Sequence, residues 1–295
     1  MASDGSVTID HAFGQTKIPG PPKKVVSAGY TGQDDLLAVG VVPIAVTEWF
    51  GGQPSAVWPW ARPKLGGAQP VVLNLDDGIQ VDKIAELKPD LIIAVNAGLD
   101  ADTYKKLSEI APTVAQNRQD AFFEPWKDQA TTIGQAVFKA DEMTKLIDDL
   151  DARFAAVDKT YPVLTGRKVF LVNGAPTVAG VTVIPAGWRT AFLDQMGIGT
   201  PGGLDKFAQG QHAFVPRDQM AAVFDDADAL IWTVDDDQQQ GAILADPTVA
   251  QLKLARSNRI VFPDKDLSAA ISFASVLSYA AVADQLPPLL AKALG

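Results

Sequence analysis

The stretch from Trp126 to Tyr161 sets the strongest limit on what this chain can fold into. Apolar residues fall at Ile133, Val137, Ala140, Ile147, Leu150, Phe154, Val157 and Tyr161, mostly three or four apart. That spacing lines one side of an α-helix. Lys127, Gln135, Lys145, Asp148, Asp149, Asp151 and Lys159 fall on the other side. At about 1.5 Å per residue a continuous helix would reach roughly 50 Å. A break is expected near Lys139–Asp141, where Asp141 can cap a second segment. Pro162 closes the pattern, because the residue before a proline avoids helical backbone.

Short apolar strands alternate with short helices on either side. Before the stretch, Val25 to Ala28, Val41 to Val46, Asp90 to Val95 and Pro112 to Ala115 read as strands, with helices at Gln33 to Val39, Val81 to Leu87 and Ala101 to Ile110. After it, Lys168 to Val172, Thr177 to Ile184, Ala229 to Val234 and Arg259 to Phe262 read as strands. Helices are expected from Gly187 to Met196, over Asp218 to Phe224 and Val249 to Leu254, and across most of Ser268 to Leu294; Gly199 to Pro216 reads as a loop. The halves echo each other. Asp82 opens a helix leading to Asp90 and Leu91-Ile92-Ile93, while Asp218 opens one leading to Asp228 and Leu230-Ile231-Trp232. Alternation of this kind implies parallel sheets covered on both faces. The expected fold is α/β: two Rossmann-like lobes joined by a long backbone helix, divided at 1–124, 125–161 and 162–295. Ligands of such lobes bind at carboxyl strand ends and domain junctions, so a shared crevice is expected.

The 295 residues, 47% of them hydrophobic, suffice for two medium domains. A formal net charge of −10 disfavours nucleic acid and anionic membranes. Absence of cysteine removes disulfides, thiolate metal sites and cysteine nucleophiles. No apolar run is long enough to span a bilayer. Met1 to Ser6 reads as a trimmed, flexible leader.

Several stretches together resemble the helical-backbone class of extracytoplasmic solute-binding proteins, which serve ABC transporters for ferric siderophores, haem and cobalamin. They are His11 with Ile18-Pro19, Lys24-Val25-Val26, Leu37 to Pro43, Ile84 to Ile92, Ala111-Pro112-Thr113-Val114 and the Asp218 helix. The ferric-siderophore branch is the most similar. The resemblance implies a monomer without intrinsic cofactor that captures an iron–siderophore, with haem as the alternative ligand. It implies an exported protein of the periplasm or cell envelope, lipid-anchored at a cysteine upstream of this sequence, that delivers its cargo to a membrane permease. It also assigns His11 a structural role. Asp82 and Asp218 match positions where the family usually carries a glutamate that pairs with permease arginines. Helix capping is the other use for an aspartate there.

Candidate ligand contacts are the aromatic and cationic groups at expected crevice loops: Tyr30, Trp49, Trp58, Trp60, Arg62, Trp188, Arg189, Trp232 and Phe273. Arginine gives planar, charge-assisted hydrogen bonds to chelating oxygens, and indole or phenol rings pack on the ligand shell. Core burial is the competing use, strongest for Trp232 inside an apolar strand and weakest for Trp58 and Trp60 among loop prolines. Tyr30 or His212 would be the iron ligand if haem binds. Two histidines without HxH or HExxH spacing argue against a zinc site. Gly197 to Gly202 fits G-x-G-x-x-G but follows a helix and contains Pro201, which removes the phosphate-binding context. Asp235-Asp236-Asp237 lacks calcium-loop spacing and reads as a solvated turn. A two-lobed α/β enzyme is the rival from another class, and no nucleophile–base set supports it.

Overall fold

The structure, a computed structural model, describes residues 3–117 and 122–295. Met1 and Ala2 of the expected leader lie outside them, as do four residues of the expected 1–124 lobe. The chain divides into two compact units, Met1–Asp148 with Ala274–Ser278, and Asp149–Phe273 with Tyr279–Gly295. Each is an α/β unit.

The first unit opens with a hairpin of β1 (Val7–His11) and β2 (Gly14–Ile18). Its sheet contains β3 (Val25–Ser27), β4 (Ala45–Thr47), β5 (Val71–Leu73), β6 (Leu91–Ala94) and β7 (Thr113–Ala115), in the order β5-β4-β3-β6-β7 and wholly parallel. Successive strand side chains point to opposite faces. Val26, Ile92 and Ala94 therefore join one apolar cluster, with Ile84 of helix α2 (Val81–Leu87) and Leu107 of α3 (Ala101–Ser108). Val25, Leu91 and Ile93 join the other, with Leu36 of α1 (Gly32–Ala38) and Ile133 of α4 (Trp126–Ala136). Fully burying one such side chain contributes about 1.5–3 kcal/mol.

The hairpin is pinned through His11. The Phe13 amide donates to its Nδ1 at 3.2 Å, so Nε2 carries the proton and donates to Thr16 Oγ1 at 2.9 Å. Thr16 Oγ1 donates in turn to the Thr113 carbonyl of β7 at 2.6 Å. Tyr104 stacks on Phe13, and its hydroxyl lies 3.2 Å from Thr16 Oγ1.

The long stretch breaks beside the expected Lys139–Asp141 point and runs as three pieces: α4, α5 (Ala140–Ala155) and α6 (Val157–Thr160). Phe138 adopts left-handed backbone at φ 62°. Its amide donates to Gln135 O at 3.1 Å, and the Lys139 amide donates to Gly134 O at 2.7 Å. That pair of bonds is a Schellman ending with phenylalanine where glycine is usual. Asp141 lies in the first turn of α5, and the unit boundary falls inside that helix. Ala140, placed on the apolar stripe, is exposed, and Met143 is buried instead.

The second unit contains β8 (Val169–Asn173), β9 (Gly180–Ile184), β10 (Ala208–Gln209), β11 (His212–Pro216), β12 (Ala229–Thr233) and β13 (Ile260–Val261), in the order β10-β11-β9-β8-β12-β13. Only β8, β12 and β13 run parallel; β9, β11 and β10 make antiparallel pairings, so this sheet is mixed. The expected loop at Gly199 to Pro216 thus holds a hairpin. Phe170, Val172, Leu230 and Trp232 pack with Ile243, Val249 and Leu254. Phe154, Phe192 and Tyr279 form a separate ring cluster with centroids 5.3–6.1 Å apart.

The echo between halves is physical. Asp90 accepts from the Lys23 and Lys24 amides at 2.8 Å each, and its own amide donates to Lys24 O at 3.0 Å. Asp228 accepts from the Lys168 amide at 2.9 Å, and its amide donates to Lys168 O at 2.7 Å. Each aspartate ties the start of a central strand to the start of its parallel neighbour.

Candidate functional site

In the first unit the chain leaves β3 toward β4 on one side, and β6 lies on the other, so the topological switch point falls between β3 and β6. Ligand sites of open α/β sheets form at such points, outside the carboxyl strand ends. Gly29 lets the two strands close up there: a Cβ on it would lie 1.8 Å from Val95 O. Tyr30 follows, its amide donating to Asn96 O at 3.1 Å. Its ring stacks between Trp49, after β4, and Phe122, after β7, at 5.5 and 5.9 Å. Trp49 continues to Phe50 at 4.8 Å and Phe123 at 5.5 Å. Gly98, at φ +65°, makes room for Phe122, whose Cζ lies 2.3 Å from where a Cβ would stand. All five rings are half-buried. The Tyr30 hydroxyl titrates above the usual phenol range, mainly through burial and secondarily through the charge of Asp76, so it stays protonated near neutral pH.

Trp58 was expected at an open loop surface but is 2% exposed, stacked on Trp60 at 5.1 Å with planes 3° apart. The turn at Pro54–Ala56 folds it onto Phe50. Trp60 is half-buried, and its Nε1 donates to Asp34 Oδ2 at 2.7 Å. Arg62 is exposed and donates to Gln53 Oε1 and the Val57 carbonyl at 2.7 and 3.3 Å.

Behind the rings lies a polar core. Gln129 Nε2 donates to Asp35 Oδ2 at 2.7 Å and to Thr31 Oγ1 at 2.9 Å, while its Oε1 accepts from Asn96 Nδ2 at 2.5 Å. Asn96 Oδ1 accepts the Glu124 amide at 2.9 Å.

In the second unit, Trp188 and Arg189 precede the helix Ala191–Gln195 rather than opening it. They line a pocket of about 200 Å³ with Ile184, Pro185 and Gln211. The Arg189 guanidinium sits 5.0 Å from the Trp188 ring centroid, and Tyr279 Oη donates to the Arg189 carbonyl at 3.4 Å. Burial lowers the Arg189 pKa, with little consequence for so strong a base. His212 opens β11, half-buried; burial first, then the charge of Arg189, lower its pKa, so it is neutral near pH 7. Trp232 and Phe273 are corrected as ligand contacts: at 0% and 4% exposure they belong to the interior. Trp232 stacks on Phe262, and its Nε1 donates to Gly174 O at 2.8 Å.

Asp82 and Asp218 are both exposed. Asp82 lies in the first turn of α2, whose N-cap is Gln80; Asp218 lies in the 3-10 turn Arg217–Gln219, whose N-cap is Pro216. Asp235-Asp236-Asp237 are exposed at the end of β12 as expected, and Asp236 also caps the helix Asp237–Ala245, accepting the Gln239 amide at 2.8 Å. Among the described residues no group of three His, Asp or Glu is placed to hold a metal ion, and no helix is long and apolar enough to cross a membrane. A wider groove of about 810 Å³, lined by Val7, Gln135, Phe138 and Glu142, sits at the α4–α5 break.

Sequence reasoning missed Phe50, Phe122, Phe123 and the polar core. The available signals were the Phe-Phe pair just before Pro125 and two adjacent aspartates inside the otherwise apolar helix pattern of α1.

The first α/β unit thus carries half-buried rings at one set of strand ends, and in the second the half-buried Arg189 lines a pocket. The chain belongs to the periplasmic binding protein family, whose model matches residues 25–267. The probable siderophore-binding lipoprotein YfiY of Bacillus subtilis is 30% identical over 205 residues, 68% of this chain and 59% of that one. The chain spans about half the length of the curated relatives it matches. The crystal structure of a periplasmic solute binding protein from Mycobacterium smegmatis matches with a TM-score of 0.94 and 61% identity, over 99% of this chain and 100% of that one. PiaA of Streptococcus pneumoniae, in complex with ferrichrome, shares the fold at a TM-score of 0.78 and 23% identity, over 98% of each chain.

Proposed function

We propose that this protein is an extracytoplasmic substrate-binding protein that captures a ferric siderophore and delivers it to an ABC importer. The observation that carries this reading is the run of half-buried rings at the switch point of the first unit: Phe122, Tyr30 and Trp49 stacked in sequence, with Phe50 edge-on to Trp49. Such a face suits the greasy outer shell of an iron chelate. Arg189, beside its pocket in the second unit, offers the fork of donors that chelating oxygens accept. The siderophore-binding description of YfiY and the ferrichrome held by PiaA support the same ligand class. The role is binding without turnover, by a monomer held at the envelope through a lipid anchor like that of its lipoprotein relatives. Asp82 and Asp218 are the docking points for the permease.

Fluorescence titration with ferrichrome, ferrioxamine B, their iron-free forms and haem tests the reading. An iron-loaded siderophore should quench tryptophan emission, and Tyr30→Ala or Arg189→Ala should weaken binding at least about tenfold, or 1.4 kcal/mol. Binding of haem alone, with a Soret band lost in Tyr30→Phe or His212→Ala, would replace the ligand class.

A further inference from the structure

Behind the aromatic face of the first unit lies a buried carboxylate pair that ligand contact leaves unused. Asp34 and Asp35 are adjacent in α1, and both are 0% exposed. Asp34 Oδ2 accepts from Trp60 Nε1 at 2.7 Å and from Ser275 Oγ at 2.5 Å. Asp35 Oδ2 accepts from Gln129 Nε2 at 2.7 Å, and its carboxyl also receives the Val276 amide. The Oδ1 atom of each is buried with no hydrogen-bond partner among the described residues. The groups facing the pair are uncharged: Gln129 from α4, Trp60 from the loop after β4, and Ser275 with the Val276 amide from the 274–278 segment. Among the described residues, the charge acting on Asp35 is that of Asp34. Burial raises Asp34 to about 6, and burial with the neighbouring Asp34 charge raises Asp35 to about 8.

Gln129 connects this pair to the rings. Its Nε2 reaches both Asp35 and Thr31, the residue after Tyr30. Its Oε1 holds Asn96, whose carbonyl accepts the Tyr30 amide and whose side chain accepts the Glu124 amide, next to Phe123. One side chain thus ties Asp35 to both ring-bearing loops.

We propose that protonated Asp35 and Gln129 form a proton-linked anchor that positions the Tyr30 and Phe122–Phe123 rings, so that loss of the Asp35 proton loosens the aromatic face and weakens its grip on ligand. The ligand part rests on the proposed function; the anchor does not. An ionised Asp35 keeps its Gln129 and Val276 donors but stands beside Asp34 with no cation facing it among the described residues, so it draws in water that competes with those neighbours, because a buried charge needs solvation or a counter-charge. Gln129, with every bond committed, is the neighbour whose shift reaches the rings. The sign follows from the raised value. Stability from the neutral carboxyl is complete below the unfolded value of about 3.9 and is lost as pH rises through the folded value.

Hydrogen–deuterium exchange over residues 28–33 and 122–129, corrected for intrinsic rates and compared at about pH 6 and about pH 9, tests the anchor without ligand. The wild type should lose protection at least about fivefold at the higher pH, while Asp35→Asn, which keeps an acceptor oxygen but cannot ionise, should hold it. The same pH dependence in both proteins overturns the proposal. Infrared spectroscopy of the wild type needs no variant: a buried protonated-carboxyl band should be present near pH 6 and gone near pH 9, and its absence near pH 6 overturns the proposal. Ferrichrome affinity should fall at least about threefold between those pH values in the wild type and stay level in Asp35→Asn. Failure of ferrichrome to bind at either pH overturns the siderophore reading, and the exchange result still decides the anchor.

Discussion

At Gly29 one missing Cβ decides where Tyr30 sits. The β3 and β6 ends approach so closely that a methyl group would lie 1.8 Å from Val95 O, a backbone atom with little room to yield. Gly29→Ala should therefore destabilise the protein by about 1–3 kcal/mol or more, measured by urea unfolding. Gly98 differs: there the obstacle is the Phe122 ring, a side chain that can swing aside. Gly98→Ala should cost less stability than Gly29→Ala yet weaken siderophore binding more for each kcal/mol lost. Equal proportions in the two variants would mean that Phe122 has no part in the site.

The element with the clearest pH signature is the β1–β2 hairpin. Burial lowers the His11 pKa, and the neutral ring is the form that accepts the Phe13 amide at Nδ1. Because the folded value lies below the unfolded one, this contribution is present above the unfolded value of about 6.5 and is lost as pH falls through the folded one. Denaturant unfolding near pH 7.5 and near pH 5 should show a larger loss on acidification for the wild type than for His11→Gln. Asp35 works in the opposite direction, its contribution fading as pH rises. Removing His11 should therefore flatten the acid side of the stability profile, and Asp35→Asn should flatten its decline as pH rises.

For the molecule as a whole, the net charge of −10 makes individual surface carboxylates poor guides to function. Asp82 and Asp218 stand out because each lies ahead of an inner strand of its own unit, Asp82 in the first turn of α2 and Asp218 in the 3-10 turn before the helix Met220–Phe224, and neither is an N-cap residue. Asp82→Asn and Asp218→Asn should leave stability within about 0.5 kcal/mol and siderophore affinity unchanged. Transport through the cognate permease should fall in each, and further in the double variant. Full transport by the double variant would end the docking assignment.

The alternation of strands and helices, the Asp90–Asp228 echo and membership of the binding-protein family were all legible in the sequence. The alternation depends on local periodicity, since a residue two or four positions along shares a face whatever the distant chain does, while the family was read from resemblance in short stretches such as Ile84 to Ile92. Tyr30 and Trp49 were legible for the same reason, since each follows an apolar strand. What brings rings together is strand order and loop closure, and these involve residues far apart in the chain. Trp58, expected at the loop surface, is therefore folded inward by the turn at Pro54–Ala56, while Phe122, unassigned from sequence, stacks on Tyr30. The break in the long helix was legible near Lys139–Asp141, but not its form: hydrogen bonds to Gly134 and Gln135 hold a phenylalanine in a conformation that glycine normally marks. The Asp34–Asp35 pair could be read only as two charges on a helix. Tertiary structure made it a buried site by setting Gln129, Trp60 and Ser275 around it, because burial is decided by what the rest of the chain places on a surface.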